Sequence, residues 1–157
     1  MTHGERPPPG DPEADQPGSA EWSRDNVDRV LAELVERETA YGLLQRGRQM
    51  MRRRHNAQAA VLLERARRLE PGKGSIVETL ARAYYNSGQH RRAAEAFGEL
   101  LEIDPSSAYG HFGLGQALKQ IGQRDEARTH LRLAVALAPE SALYRQALDR
   151  LGRSRGR

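Results

Sequence analysis

GSIVETLARAYYNSGQHRRAAEAFGELLEIDPSS, residues 74–107, holds two periodic apolar runs on either side of one short polar turn. Val77, Leu80, Ala81 and Tyr84 recur at three- and four-residue spacing, Ala93, Ala96, Phe97 and Leu100 do the same, and Asn86-Ser87-Gly88-Gln89 separates them. That spacing predicts two amphipathic helices. Pro105 ends the second, because a proline pushes its predecessor out of helical geometry. Working outward, the pattern repeats. Pro71, Pro105 and Pro139 lie 34 residues apart and close the similar segments LLERARRLEP, FGELLEIDP and LRLAVALAP. Small residues keep fixed offsets from each proline: Gly47, Ala81 and Gly115 lie 24 before it, and Ala59, Ala93 and Ala127 lie 12 before it.

A period of 34 with these residues resembles the tetratricopeptide repeat, a helix-turn-helix unit (helix A, turn, helix B) that stacks on copies of itself. The resemblance implies an all-α, right-handed α-solenoid of three repeats. With the proline at position 32, the units span residues 40–73, 74–107 and 108–141. Small residues at positions 8 and 20 allow the two helices of a unit to approach closely, and large ones at 11 and 24 fill the space beside them. Gly88 and Gly122, at position 15, suit a tight interhelical turn. The first unit departs from the family pattern, with Arg46 at position 7, Met50 at 11 and Arg54 at 15, while keeping Gly47, Ala59, Leu63, Ala66 and Pro71. Terminal repeats of such stacks are commonly atypical; the departure bears on the turn of that unit.

The flanks read differently. Residues 1–22 are acidic and rich in proline and glycine, with too little apolar surface to offset the cost of ordering, and are expected to be a disordered tail. Within residues 23–39, Ser23 is placed to cap a helix whose apolar stripe is Val27, Val30, Leu31, Leu34 and Val35. This helix is expected from Arg24 to Arg37, with a kink near Thr39 the only break expected before the first repeat. Residues 142–152 restart helix A, with Leu143, Tyr144, Ala147, Leu148 and Leu151 on one face, and are expected to cover the last helix B as a cap. Residues 153–157 are expected to be a disordered basic tail.

Composition narrows the function. A hydrophobic fraction of 38% with 29% charged residues suits a modest helical core, and the absence of cysteine excludes disulfides and thiolate chemistry. The five histidines form no HExxH pair, and there is no phosphate loop, nucleophile elbow or dinucleotide fingerprint; Gly110, Gly113 and Gly115 fall inside a helix by repeat register and read as packing glycines. No enzymatic activity, metal or cofactor is expected. The N-terminus lacks a signal-type apolar segment, and the longest apolar run, Leu133 to Ala138, is too short to cross a bilayer, so the expectation is a cytoplasmic protein without a membrane partner.

What remains is a surface. In a right-handed stack of this kind helix A lines the concave side, and positions 2, 5, 9 and 12 share one helical face. Position 2 carries Tyr41, Ser75, Tyr109 and Leu143; position 5, Leu44, Glu78, Phe112 and Gln146; position 9, Arg48, Arg82, Gln116 and Arg150; position 12, Met51, Tyr85 and Lys119, with Arg52, Asn86 and Gln120 beside it. The expected peptide-binding groove comprises Tyr41, Leu44, Arg48, Met51, Arg52, Glu78, Arg82, Tyr85, Asn86, Tyr109, Phe112, Gln116 and Lys119. Aromatic rings interleaved with guanidinium groups suit an acidic peptide or protein segment with apolar anchors. Charge points the same way: residues 1–39 carry ten acidic and four basic side chains, a balance of −6, whereas residues 40–157 carry eleven and twenty-one, a balance of +10. The acidic N-terminus is therefore also a candidate competing ligand for the groove.

Some members of the family hold C-terminal peptides through a carboxylate clamp of Lys, Asn and Arg. The corresponding positions here are Leu44, Arg48, Thr79, Tyr109 and Gly113, so the resemblance does not extend to that clamp. An alternative is a chaperone-like or homo-oligomeric assembly through residues 24–37. Nucleic acid ranks third: Arg52, Arg53 and Arg54, Arg65, Arg67 and Arg68, and Arg91 and Arg92 make a basic edge without a recognition-helix motif or stacking platform.

Overall fold

In the computed structural model, which describes residues 23–153, the described residues form eight helices and no strand: α1 (Arg24–Glu38), α2 (Ala40–Arg52), α3 (Asn56–Leu69), α4 (Gly74–Asn86), α5 (His90–Ile103), α6 (Ala108–Gln120), α7 (Arg124–Leu137) and α8 (Ala142–Arg153). The described residues fall into two separate units, divided between Glu36 and Arg37. In the first, Ser23 Oγ accepts a hydrogen bond from the Asn26 N–H at 3.3 Å and starts α1. Val30, Leu31, Leu34 and Val35 along that helix are exposed. The break before α2 is a complete one. Thr39 adopts extended backbone (φ −74°, ψ 149°), and its Oγ1 accepts from the Gly42 N–H at 3.0 Å, so a new helix is capped where a kink was expected.

The second unit is an all-α solenoid of three helix pairs, α2 with α3, α4 with α5 and α6 with α7. Each second helix packs on the first helix of the next pair, and α8 closes the stack against α7. α8 ends at Arg153, one residue beyond the expected cap, and the expected tails at residues 1–22 and 154–157 lie outside the described residues.

The interhelical turns have a common cause. The Gln89 N–H donates to Tyr84 O at 2.8 Å and the Gly88 N–H to Tyr85 O at 3.1 Å, a double closure that requires the left-handed conformation at Gly88 (φ +80°). Gly122 (φ +86°) does the same with Lys119 O. In the first pair Arg54 takes this conformation (φ +63°), its N–H reaching Met51 O at 2.9 Å. The atypical repeat therefore keeps the family turn and tolerates about 1–2 kcal/mol of backbone strain that glycine avoids.

Close helix approach is visible where side chains are missing. A Cβ on Gly47 would lie 2.8 Å from Leu63 Cγ, and one on Gly115 2.8 Å from Leu131 Cγ, so the branched leucine at position 24 uses the space left by glycine at position 8. The fully buried apolar residues fall into two groups along the stack, bridged by half-buried side chains. One apolar cluster runs from Ala40 to Ala117 through α2–α6, and a smaller one holds Leu118, Ala127, Leu131, Ala147 and Leu151; half-buried Ala94 and Leu114 adjoin both. Between the two groups the buried face of α6 carries Gly110, His111, Gly113, Gly115 and Ala117, with Leu118 its one large apolar side chain, and so supplies little apolar volume.

Candidate functional site

α2, α4, α6 and α8 touch in succession, so the first helices of the repeats form one face of the stack. Two pockets open on it. The pocket between α4 and α6, of about 320 Å³, is lined by Arg82, Tyr85, Asn86, Phe97, Tyr109, Phe112, Gly113 and Gln116. That between α2 and α4, of about 330 Å³, is lined by Arg48, Met51, Arg52, Thr79, Arg82 and Asn86. Arg82 and Asn86 belong to both, so the pockets adjoin.

The aromatic side of this face is a linked series of rings. Phe97 meets Tyr109 edge-on at 6.0 Å, Tyr109 lies 6.3 Å from Phe112, and Phe112 stacks on Tyr144 of α8 at 4.8 Å. Burial pushes the Tyr109 hydroxyl up to about 12, opposed by the nearby Arg82 and reinforced by Glu78 and Tyr144, so at neutral pH it is a proton donor. Arg48, Arg52 and Arg82 make no ion pair among the described residues, and no carboxylate lines their pocket.

The structure brings together nine of the expected groove residues in these pockets: Arg48, Met51, Arg52, Arg82, Tyr85, Asn86, Tyr109, Phe112 and Gln116. Glu78 and Lys119 are half-buried and line neither pocket, and Tyr41 is 67% exposed. Leu44 is a correction. It is 4% exposed and belongs to the core, because Ala40, Leu43, Leu44 and Gly47 recur at i, i+3, i+4 and i+7 and form the buried stripe of α2. Three lining residues were not expected: Thr79, Phe97 and Gly113. Phe97 is the only aromatic at position 24, where the other units have leucine, and Gly113 stands at position 6 of the next unit; that coincidence was the signal available.

Away from the pockets, two histidines join α6 to α7. His111 Nε2 lies 2.9 Å from Pro105 O and so donates to it, which leaves Nδ1 as the acceptor for the His130 Nδ1–H at 3.0 Å. Burial, with the His111 ring adding to it and Glu126 opposing, holds the His130 pKa below its ordinary 6.5. The unfolded chain therefore binds this proton more readily. The resulting stability is complete above the unfolded value and is lost as pH falls towards and through the lower folded one. The midpoint of thermal unfolding is expected to fall between about pH 7.5 and 5, and to fall less in His130→Gln, which has no ring to protonate. Circular-dichroism melts across that range measure it; identical pH slopes would show that the pair does not carry the effect.

On the basic edge, Arg67 pairs with Glu99 at 3.1 Å, and Arg92 with Glu64 at 3.6 Å. Among the described residues no group of three or more metal-ligating side chains gathers, and no helix is long and apolar enough to cross a membrane.

Comparison with known proteins agrees with this architecture. A family model described as tetratricopeptide repeat matches residues 50–111 and 87–151. The TPR domain of Sgt2 from Aspergillus fumigatus superposes with a TM-score of 0.68 at 23% identity, over 73% of this chain and 78% of that one. The Arabidopsis OM64 TPR domain gives 0.71 at 18% identity, over 76% and 98%. The first TPR of Spaghetti (RPAP3), bound to the HSP90 peptide SRMEEVD, gives 0.71 at 14% identity, over 75% and 94%. No curated protein sequence matches significantly.

Proposed function

The chain belongs to the tetratricopeptide repeat family, and on that premise we propose that it is a protein-interaction adaptor holding an acidic peptide or protein segment with apolar anchors on the face made by α2, α4 and α6. The observation that supports this reading best is the pocket with three guanidinium groups and no carboxylate, next to one floored by aromatic rings. Like charges held together without a counterion favour an anionic ligand, and guanidinium groups suit carboxylates. Packed helices present such a face ready-made, so binding costs little reorganisation. The structurally similar domain bound to SRMEEVD, a peptide with three acidic residues, supports the ligand class. It does not extend to that peptide here, because Leu44, Thr79, Tyr109 and Gly113 stand where a carboxylate clamp would place its polar side chains.

The test is a pull-down from nuclease-treated native lysate, followed by titration of the retained partner. Arg48→Glu with Arg82→Glu, checked to fold like the wild type, is expected to weaken binding by at least about tenfold. Unchanged affinity would move the site off this face. A partner lost on nuclease treatment would favour nucleic acid instead.

A second reading is favoured by the exposed Val30, Leu31, Leu34 and Val35 of α1: self-association through that helix. It predicts a mass that rises with concentration in light scattering and stays monomeric in Leu31→Glu with Leu34→Glu; a wild type monomeric at every concentration would exclude it.

A further inference from the structure

α1 is complementary to itself when its sequence is set against its own reverse. Val27, Val30, Leu31, Leu34 and Val35 recur at i, i+3, i+4, i+7 and i+8, the spacing that puts an apolar stripe on one side of a helix. Val27 is half-buried and the other four are exposed, Leu31 and Leu34 each by about half of their surface. A helix of 15 residues is marginal in water by itself, so this one gains from a partner that covers the stripe. Leu31 stands midway between its ends, Arg24 and Glu38. Counted outward from Leu31, Arg29 is matched by Glu33, Val27 by Val35, Asp25 by Arg37 and Arg24 by Glu38. Apolar residues meet apolar ones there, and each of these charges meets its opposite; Asp28 against Leu34 is the one match of a charge with an apolar residue.

We propose that α1 pairs with α1 of a second copy of this chain as an antiparallel, two-fold symmetric dimer centred on Leu31. The proposal rests on the self-association reading above and adds the orientation, the register and the number of copies. A two-fold contact is reciprocal, so each match occurs twice: Arg29 faces Glu33 of the second copy, and Glu33 faces the Arg29 of that copy. Parallel helices in register would set every charge against its like. Antiparallel ones also bring the positive N-terminus of each helix beside the negative C-terminus of the other. Exposed ion pairs are individually weak, so they select the orientation while burial of the stripe supplies the affinity. A dimer closed in this way carries two copies of the face made by α2, α4 and α6, and so offers two sites to a ligand that is itself repeated.

The chain has no cysteine, so an introduced one reports the orientation without background. Leu31→Cys, Val27→Cys and Val35→Cys are oxidised mildly in the full chain, each alone and the last two mixed, at a concentration where light scattering shows the wild type associated. Leu31→Cys is expected to cross-link to itself, because the two-fold axis passes beside it. Val27→Cys mixed with Val35→Cys is expected to give the mixed dimer, while neither cross-links alone. In this register the two copies of Val27 lie about 12 Å apart along the pair, and a disulfide needs Cα atoms within about 7 Å. Val27→Cys linking to itself as readily as to Val35→Cys, or absence of both the Leu31→Cys and the mixed cross-link from an associating chain, overturns the proposal and leaves self-association standing. Arg48→Glu with Arg82→Glu is expected to keep the wild-type mass; if it folds but turns monomeric, α1 docks on the arginine pocket of the second copy and the proposal is overturned. A wild type monomeric at every concentration overturns both readings.

Discussion

Phe97→Ala is expected to destabilise the protein by about 3–5 kcal/mol, the range for removing a buried phenylalanine. The ring is 2% exposed, contacts Tyr109 edge-on and lies against the backbone of Gly113, so it joins the second repeat to the third while flooring the α4–α6 pocket. In a stack where each repeat touches only its neighbours, a lost interface is not compensated from elsewhere. The midpoint of thermal unfolding should drop by on the order of 15 °C. Leu143→Ala, at an exposed position, should change stability by less than about 0.5 kcal/mol and serves as the control. Urea unfolding of both variants measures the difference; a loss below about 1 kcal/mol for Phe97→Ala would mean that the repeats are held together by other contacts.

The second large effect is expected at Gly113. A Cβ there would lie 2.3 Å from both Cε1 and Cζ of Phe97, which no real pair of atoms tolerates without movement. Gly113→Thr should therefore cost about 1–3 kcal/mol through overpacking, after allowing for the better helix propensity of the new residue. The preceding interface supplies the compensation. There Leu63 occupies the position equivalent to Phe97, and Thr79 the position equivalent to Gly113, and both are buried. In a Phe97→Leu background the penalty of Gly113→Thr should shrink by about 1 kcal/mol or more, a coupling read from a double-mutant cycle. Strictly additive effects would show that the ring moves aside, for instance into the neighbouring pocket.

These two residues mark the boundary of what a linear pattern reveals. The 34-residue period was legible because every unit must solve the same packing problem, so Ala59, Ala93 and Ala127 occupy one place and Pro71, Pro105 and Pro139 another. The same register orders Arg48, Arg82 and Gln116 into a column. Depth is a different matter. Position 5 is half-buried at Glu78 and Phe112 but buried at Leu44, because the stripe of α2 is set by its own neighbours. Phe97 read as a core residue and is one, yet its edge also reaches the pocket, since the opposing glycine has no side chain to cover it. The apolar core thins between the second and third repeats for a related reason: three glycines and a histidine on the buried face of α6 preserve the repeat spacing but supply little apolar volume.

By itself the sequence determined the helix pairs, their turns and the family, since local spacing, the left-handed position 15 of the repeat and the closing proline act over a few neighbouring residues. It also determined the charge of the repeats, a simple sum. Only the tertiary structure decided which of those residues meet: that Arg48, Arg52 and Arg82 share one pocket without a carboxylate, that Phe97 and Gly113 shape the next, and that His111 pairs with His130. Such contacts depend on how far side chains from different helices extend into common space, and that volume is set by packing between repeats rather than by spacing within one.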